Sequence, residues 1–197
     1  KIIERNGKLD RFDASADENA NGKIDDIEAY VDQNGDGIIN SDDLVYNDAQ
    51  PEPIQTLGFT TTWRYKKWSG GMTWRGEFGH YIYNNTANAF FTAGAFRGGR
   101  NVTSDVLSAG ESFDAAADVS TRFLESGDFI RMQNATVSYN WPLSGDEFFS
   151  SLVLSVTGQN LFVITDYSGL DPELFNGIDN TNFPRPRTFL VGANIKF

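Results

Sequence analysis

The residues best suited to chemistry lie in one acidic run. Asp32, Asn34, Asp36, Asn40 and Asp43 place side-chain oxygens at positions 1, 3, 5, 9 and 12 of a twelve-residue stretch, with Gly37 at position 6. Oxygen donors at that spacing around a glycine match a calcium loop, where hard carboxylate and carbonyl ligands replace the hydration shell of the ion. The backbone carbonyl of Ile38 supplies position 7 in such a loop, and Ile39 at position 8 anchors it. Asp43 is one methylene shorter than the glutamate that usually closes the ring bidentately. Fifteen residues upstream the pattern recurs as Asp17, Asn19, Asn21, the Lys23 carbonyl, Asp25 and Glu28, with Gly22 at the turn and Ile24 as anchor. The two loops lie too close for a pair of helix-loop-helix hands, although Asp26 to Val31 is long enough for one short helix. The competing reading of Asn34-Gly35-Asp36-Gly37 is a plain turn, because these residues tolerate left-handed backbone. A calcium ion here would be structural, since a full set of oxygen ligands leaves little room for substrate.

Other chemistry finds little support. The chain has no cysteine, which removes disulfides, thiolate metal sites and a cysteine nucleophile. His80 is the only histidine, and no nucleophile elbow accompanies it. At the end of a strand it reads as a rim residue. A glycosidase-like carboxylate pair would compete with the calcium spacing for the same oxygens. Gly94 to Gly99 lacks a phosphate-binding fingerprint. Asn84, Asn101 and Asn134 head Asn-x-Thr triplets of a kind that arise by chance. The sequence therefore predicts no enzyme. The formal charge is −11, and residues 1–52 hold fourteen Asp and Glu against five Lys and Arg, leaving only −2 for the rest. Such a field repels nucleic acid and attracts divalent cations.

The elements that position these residues read as strands. Thr188 to Phe197 alternates, with Phe189, Val191, Ala193, Ile195 and Phe197 on one side and Thr188, Gly192, Asn194 and Lys196 on the other; only Leu190 breaks the polar set. Leu57, Phe59, Thr61, Trp63 and Tyr65 alternate with Gly58, Thr60, Thr62 and Arg64; after a turn at Lys66 to Gly70, Met72, Trp74, Gly76 and Phe78 alternate with Thr73, Arg75, Glu77 and Gly79. His80 to Ser126 reads as a long connection with aromatic clusters. A third strand, Asp128 to Trp141, inverts its polarity between Ile130/Met132 and Val137/Tyr139/Trp141, which predicts a bulge near Asn134. Ser151 to Ile164 forms the fourth, and Thr165 to Arg187 a long loop before the last.

A charged face must meet water, and an apolar face needs cover. No stretch of about 20 apolar residues suits a membrane-spanning helix, but a barrel crossing needs only roughly 9 to 11 alternating residues. Connections run long, short, long, short, long, the asymmetry of outer-membrane barrels. Trp63, Tyr65, Trp68, Tyr139, Trp141 and Phe197 gather at the short-turn ends, where an interfacial aromatic girdle sits. A soluble sandwich is the alternative, but it gives aromatics no reason to collect at one end. The expected class is all-β: about five strands of a large antiparallel transmembrane barrel with long extracellular loops. Residues 1–52 form an acidic segment with calcium loops and residues 53–197 the barrel strands. Lys1 opens on a polar, acidic run rather than a signal peptide, as expected of a processed or partial chain.

The chain resembles the carboxyl-terminal part of a SusC/RagA-type TonB-dependent outer-membrane transporter. The resemblance rests on Gly127 to Tyr139, on Gly158-Gln-Asn-Leu-Phe162 running into Thr165-Asp-Tyr-Ser-Gly-Leu-Asp-Pro-Glu173, on Pro184-Arg-Pro-Arg-Thr-Phe189, on the terminal strand, and on Asn34 to Asn40 just before a barrel strand. It implies nutrient import through a barrel of about 22 strands with a plugged lumen. The plug, the TonB-contacting segment and the earlier strands then lie outside these residues, and the outer face meets outer-membrane lipid. It also implies a SusD-like surface lipoprotein as partner and glycan or oligopeptide ligands. Gly192 to Phe197 is similar to the barrel-assembly signal, an exposed edge able to pair with a receiving sheet. Arg97, Arg100, Arg187 and the loop aromatics are candidate ligand contacts. Two other readings stay open: a secreted calcium-dependent β-rich binding or adhesion domain, and a transporter-like barrel serving as a scaffold.

Overall fold

The structure, a computed structural model, describes residues 2–3, 19–20, 26–104, 106, 113, 119–142 and 150–196. In chain order the strands are β1 (Ile2–Ile3), β2 (Leu44–Val45), β3 (Gln55–Tyr65), β4 (Trp68–Phe78), β5 (Tyr81–Tyr83), β6 (Leu124–Ser126), β7 (Phe129–Trp141), β8 (Ser151–Thr165) and β9 (Thr188–Lys196). Short helices α1 (Asp26–Ala29), α2 (Asn85–Phe90) and α3 (Ala93–Arg97) and two 3-10 turns, Ser41–Asp43 and Thr121–Phe123, complete the described elements. The chain folds as two compact units, one of residues 1–51, 81–125 and 174–182, the other of residues 52–80, 126–173 and 183–197.

The second unit is one antiparallel sheet in the order β3-β4-β7-β8-β9. Side chains opposite one another in an antiparallel ladder share a face, so the register sorts every residue. One face carries the rows Leu57/Gly76/Ile130/Ile164, Phe59/Trp74/Met132/Phe162, Trp63/Gly70/Val137/Val156/Val191 and Tyr65/Trp68/Tyr139/Leu154/Ala193. The other carries Gly58/Arg75/Arg131/Val163, Thr60/Thr73/Asn134/Gln159/Thr188 and Arg64/Ser69/Ser138/Ser155/Gly192. The apolar face is uncovered, with Leu57 at 60%, Phe59 at 62% and Val191 at 84% exposure. Phe129, the one large hydrophobic side chain of this sheet among the buried described residues, points to the polar side, where Arg75 and Arg131 lie over its ring. This reverses the arrangement of a soluble sheet.

The polarity switch in β7 has the expected cause, a bulge beside Asn134. Thr73 and Trp74 are consecutive in β4 but pair with Asn134 and Met132, so Gln133 is an unpaired extra residue. The irregularity continues into β8, where Met132 pairs with Phe162 and Asn134 with Gln159, leaving Asn160 and Leu161 opposite Gln133. Asn160 takes up the kink with a φ of +51°. The bulge returns Ile130 and Met132 to the face of Val137, although their spacing in sequence is of the wrong parity.

The turn between β3 and β4 is shorter than the sequence suggests: only Lys66 and Lys67 lie outside the strands, and pairing runs on through Trp68 to Gly70. At this end Trp68 and Tyr139 rings lie 4.8 Å apart and Tyr139 and Trp141 rings 5.9 Å apart, a continuous aromatic band. Phe197 is outside the described residues.

In the first unit, the long connection after His80 is not featureless. β5 pairs with β6, and Tyr83 N–H donates to Gly177 O at 2.8 Å while Asp179 N–H donates to Tyr83 O at 2.9 Å, so the 177–179 segment runs alongside β5. Asn84 caps α2 by accepting from Ala87 N–H at 2.8 Å, which gives its triplet a structural role. Ala29, Tyr30, Ile82, Ala87, Ala93, Val106 and Phe123 are the buried apolar residues of this unit among those described.

Candidate functional site

In the acidic loop, carboxylates and amides hold the backbone. Asp32 accepts Gly35 N–H at 2.7 Å through one oxygen and Gly37 N–H at 2.8 Å through the other. Asn34 accepts from Asp36 N–H, and Asp36 from Ile38 N–H. Asp43 is fully buried and closes the ring, one oxygen accepting from Gln33 N–H and the other from Asn40 N–H, both at 2.8 Å. Asn40 caps the turn of residues 41–43. Gly35 and Gly37 have φ of +76° and +80°, a conformation that favours glycine. These N–H donors, Gly37 first, hold the Asp32 carboxyl below its ordinary value against a weaker opposing effect of desolvation. The positions chosen from sequence, Asp32, Asn34, Asp36, Ile38, Asn40 and Asp43, thus form one loop. Asp32, Asp36 and Asp43 have no cationic partner among the described residues. Nor do three Asp, Glu or His side chains converge on one point there. Of the upstream set, Asn19 N–H donates to Glu28 at 3.1 Å. Asp17, Asn21, Lys23 and Asp25 lie outside the described residues.

The second arrangement lies on the polar face of the five-stranded sheet, at the end carrying the long connections. Arg75 and Arg131 are opposite each other on β4 and β7, a like-charge pairing that needs anions between. The 171–173 segment supplies them. Arg131, 4% exposed, meets Asp171 at 2.5 Å and Glu173 at 3.4 Å. Glu173 also pairs with Arg75 and, at 2.7 Å, with Arg185. Arg75 reaches Glu77 at 3.6 Å. Asp171 further accepts from Glu173 N–H at 3.0 Å and Arg185 N–H at 3.4 Å. Alternation places Arg75 and Arg131 on the polar face, but no local signal in the sequence reveals partners 40 residues away. Nothing in the sequence singles out Asp171, Glu173 or Arg185 as a set.

His80 is buried rather than at a rim. Phe129 lies edge-on to its ring, and its Nδ1, 4.0 Å from Asp128, makes no hydrogen bond. Asp128 is engaged with Gly79 N–H at 2.7 Å. Arg97, Arg100 and Arg187 are exposed.

A five-stranded antiparallel sheet with two open edges, apolar on one face and polar and charged on the other, defines a piece of a β-barrel wall. Known proteins agree. No family model matches the chain. It is 30% identical over 173 residues, 76% of its length, to TonB-dependent receptor P3 of Formosa agariphila. Over 170 residues, 81% of its length, it is 32% identical to TonB-dependent receptor SusC of Bacteroides thetaiotaomicron. These matches cover 17% and 16% of the relatives, so the chain spans about a sixth of their length. Among solved structures, a chain of the RagAB peptide transporter matches all of this chain with a TM-score of 0.75 at 17% identity, and the RagAB peptide importer in its open-open state with 0.73 at 16%. Both matches cover 22% of the solved chain. The chain is therefore homologous to part of the TonB-dependent receptors, SusC among them, and has the fold of part of the RagA barrel, which its five strands do not close.

Proposed function

We propose that the chain is a barrel-wall segment of an outer-membrane, TonB-dependent nutrient importer. The plug, the TonB contact and the remaining strands belong to the rest of that importer, and a SusD-like lipoprotein acts as its surface partner. The observation that carries this reading is the sorting of apolar side chains by register onto one face that stays exposed, while the opposite face holds arginines, carboxylates and hydroxyls. Such a sheet suits lipid outside and a wet or protein-filled lumen inside. The segment works as wall and mouth, not as an enzyme. Ligands are glycan fragments or oligopeptides, and the neighbour named a peptide importer favours the second class. The test pairs two measurements. The full-length protein should fractionate with the outer membrane and support nutrient uptake only with TonB present, and the isolated 197-residue chain should need detergent to stay dispersed. A soluble, folded monomer would point instead to a secreted binding domain.

The same proposal gives the acidic loop a calcium ion, on the extracellular side. The uncompensated carboxylates and the calcium spacing support it. Asp32, Asn34, Asp36, the Ile38 carbonyl, Asn40 and Asp43 would hold the ion, replacing the Asn34–Asp36 and Asn40–Ile38 side-chain hydrogen bonds seen here. The ion would stiffen the loop. Millimolar calcium should raise the melting temperature of the full-length protein, an effect that EDTA reverses and that Asp32→Asn removes.

A further inference from the structure

A cleft of about 410 Å³ opens beside the arginine–carboxylate network, lined by Arg131, Asn160, Leu170, Asp171, Arg185 and Arg187 among others. We infer that this cleft is a binding subsite for a single carboxylate group on the transported ligand; the inference rests on the importer reading above. Charge is the first argument. Arg75, Arg131 and Arg185 are balanced by Glu77, Asp171 and Glu173 through the ion pairs already described. Arg187 has no ion pair among the described residues, so the lining carries one unbalanced positive charge. Asp171 is the one acid in the lining, and it is occupied by Arg131 and by the N–H groups of Glu173 and Arg185.

Geometry is the second argument. The network fixes Arg131 and Arg185 in place, and Asn160, whose amide donates to Pro186 O at 3.2 Å, ties the bulge of β8 to the segment that carries Arg187. Arg131 and Arg185 stay engaged with their carboxylates, and the planar guanidinium of Arg187 beside them matches the two oxygens of a further carboxylate. The apolar Leu170 beside them suits the carbon skeleton next to such a group. A peptide carboxyl terminus and a uronic acid share this chemistry.

Trifluoroacetate serves as the probe, followed by fluorine NMR on the full-length protein in detergent. The wild type should broaden the probe resonance, Arg187→Gln should weaken binding about tenfold, and Arg187→Lys should restore part of it. Heat-modifiable gel mobility shows that each variant is folded. Trialanine or galacturonate should displace the probe where trialanine amide and galactose do not; the acid that competes identifies the source of the carboxylate. The inference is overturned if the wild type does not broaden the probe, as when another part of the protein fills the cleft. It is equally overturned if Arg187→Gln binds as tightly as wild type, or if neither acid competes. Uptake that is independent of TonB would sink the importer reading alone and leave the probe binding untouched.

Discussion

At the scale of single residues, the arginine–carboxylate network is where one side chain matters most. Arg131 is buried beneath the 171–173 segment with its charge met by Asp171 and Glu173. Removing one member of a buried ionic set strands its partners, which costs about 3–5 kcal/mol. Arg131→Ala should therefore lower the unfolding free energy of the refolded barrel by about 3 kcal/mol, read from denaturant titration in detergent. Asp32 makes a second case, with the opposite dependence on solvent. Its carboxyl is held below the ordinary 3.8 by the N–H groups of Gly37, Gly35 and their neighbours. A depressed value means the charged form is favoured in the folded loop, so its contribution is complete above the ordinary value and fades as pH falls through the lowered one. Hydrogen exchange at Gly35 and Gly37 should accelerate in that acid range and, at neutral pH, in Asp32→Asn.

At the scale of elements, the bulge in β7 decides which face each half of the strand presents. Deleting Gln133 would set Met132 and Asn134 side by side against the consecutive Trp74 and Thr73, so that both halves keep their partners in β4, with Arg131 on the polar face and Val137 on the apolar one. The deletion should therefore keep the heat-modifiable folded band on gels, and Gln133→Ala should stay within about 0.5 kcal/mol of wild type. The hairpin of β3 and β4 depends on Gly70. A Cβ there would lie 2.6 Å from the Trp63 ring and 2.7 Å from the Thr136 carbonyl, and the second neighbour is backbone that cannot swing away. Gly70→Val should cost about 1–3 kcal/mol in the same denaturant assay.

For the whole molecule, the energetics turn on which solvent each face meets. Val191 on β9 is 84% exposed on the apolar side, near the middle of its strand. Arginine at the depth of the bilayer centre costs about 2–4 kcal/mol, while a polar lumen tolerates charge. Val191→Arg should reduce the yield and stability of membrane-inserted protein, and Asn194→Arg, on the opposite face, should not. Equal effects of the two substitutions would contradict a lipid-facing sheet. The open edges of β3 and β9 carry the same message, since unpaired backbone groups are not tolerated in hydrocarbon and must be met by further strands.

Much of this was legible in the residues themselves. A strand has a period of two, so alternation at Leu57 to Tyr65 and Thr188 to Lys196 sorts side chains before any pairing is known, and the clash of parity along Ile130 to Tyr139 is enough to require a bulge. The calcium-like spacing at Asp32 to Asp43 predicts a closed loop because its contacts are local. Its charged carboxylates and glycines specify backbone conformations within twelve residues. What pairs with what across the fold was left to tertiary structure. Glu173 gathers Arg75, Arg131 and Arg185, the bulge falls on Gln133, and His80 is buried against Phe129. Those outcomes depend on register and on loops returning over the sheet, and no periodicity in a one-dimensional chain encodes a contact between residues far apart along it.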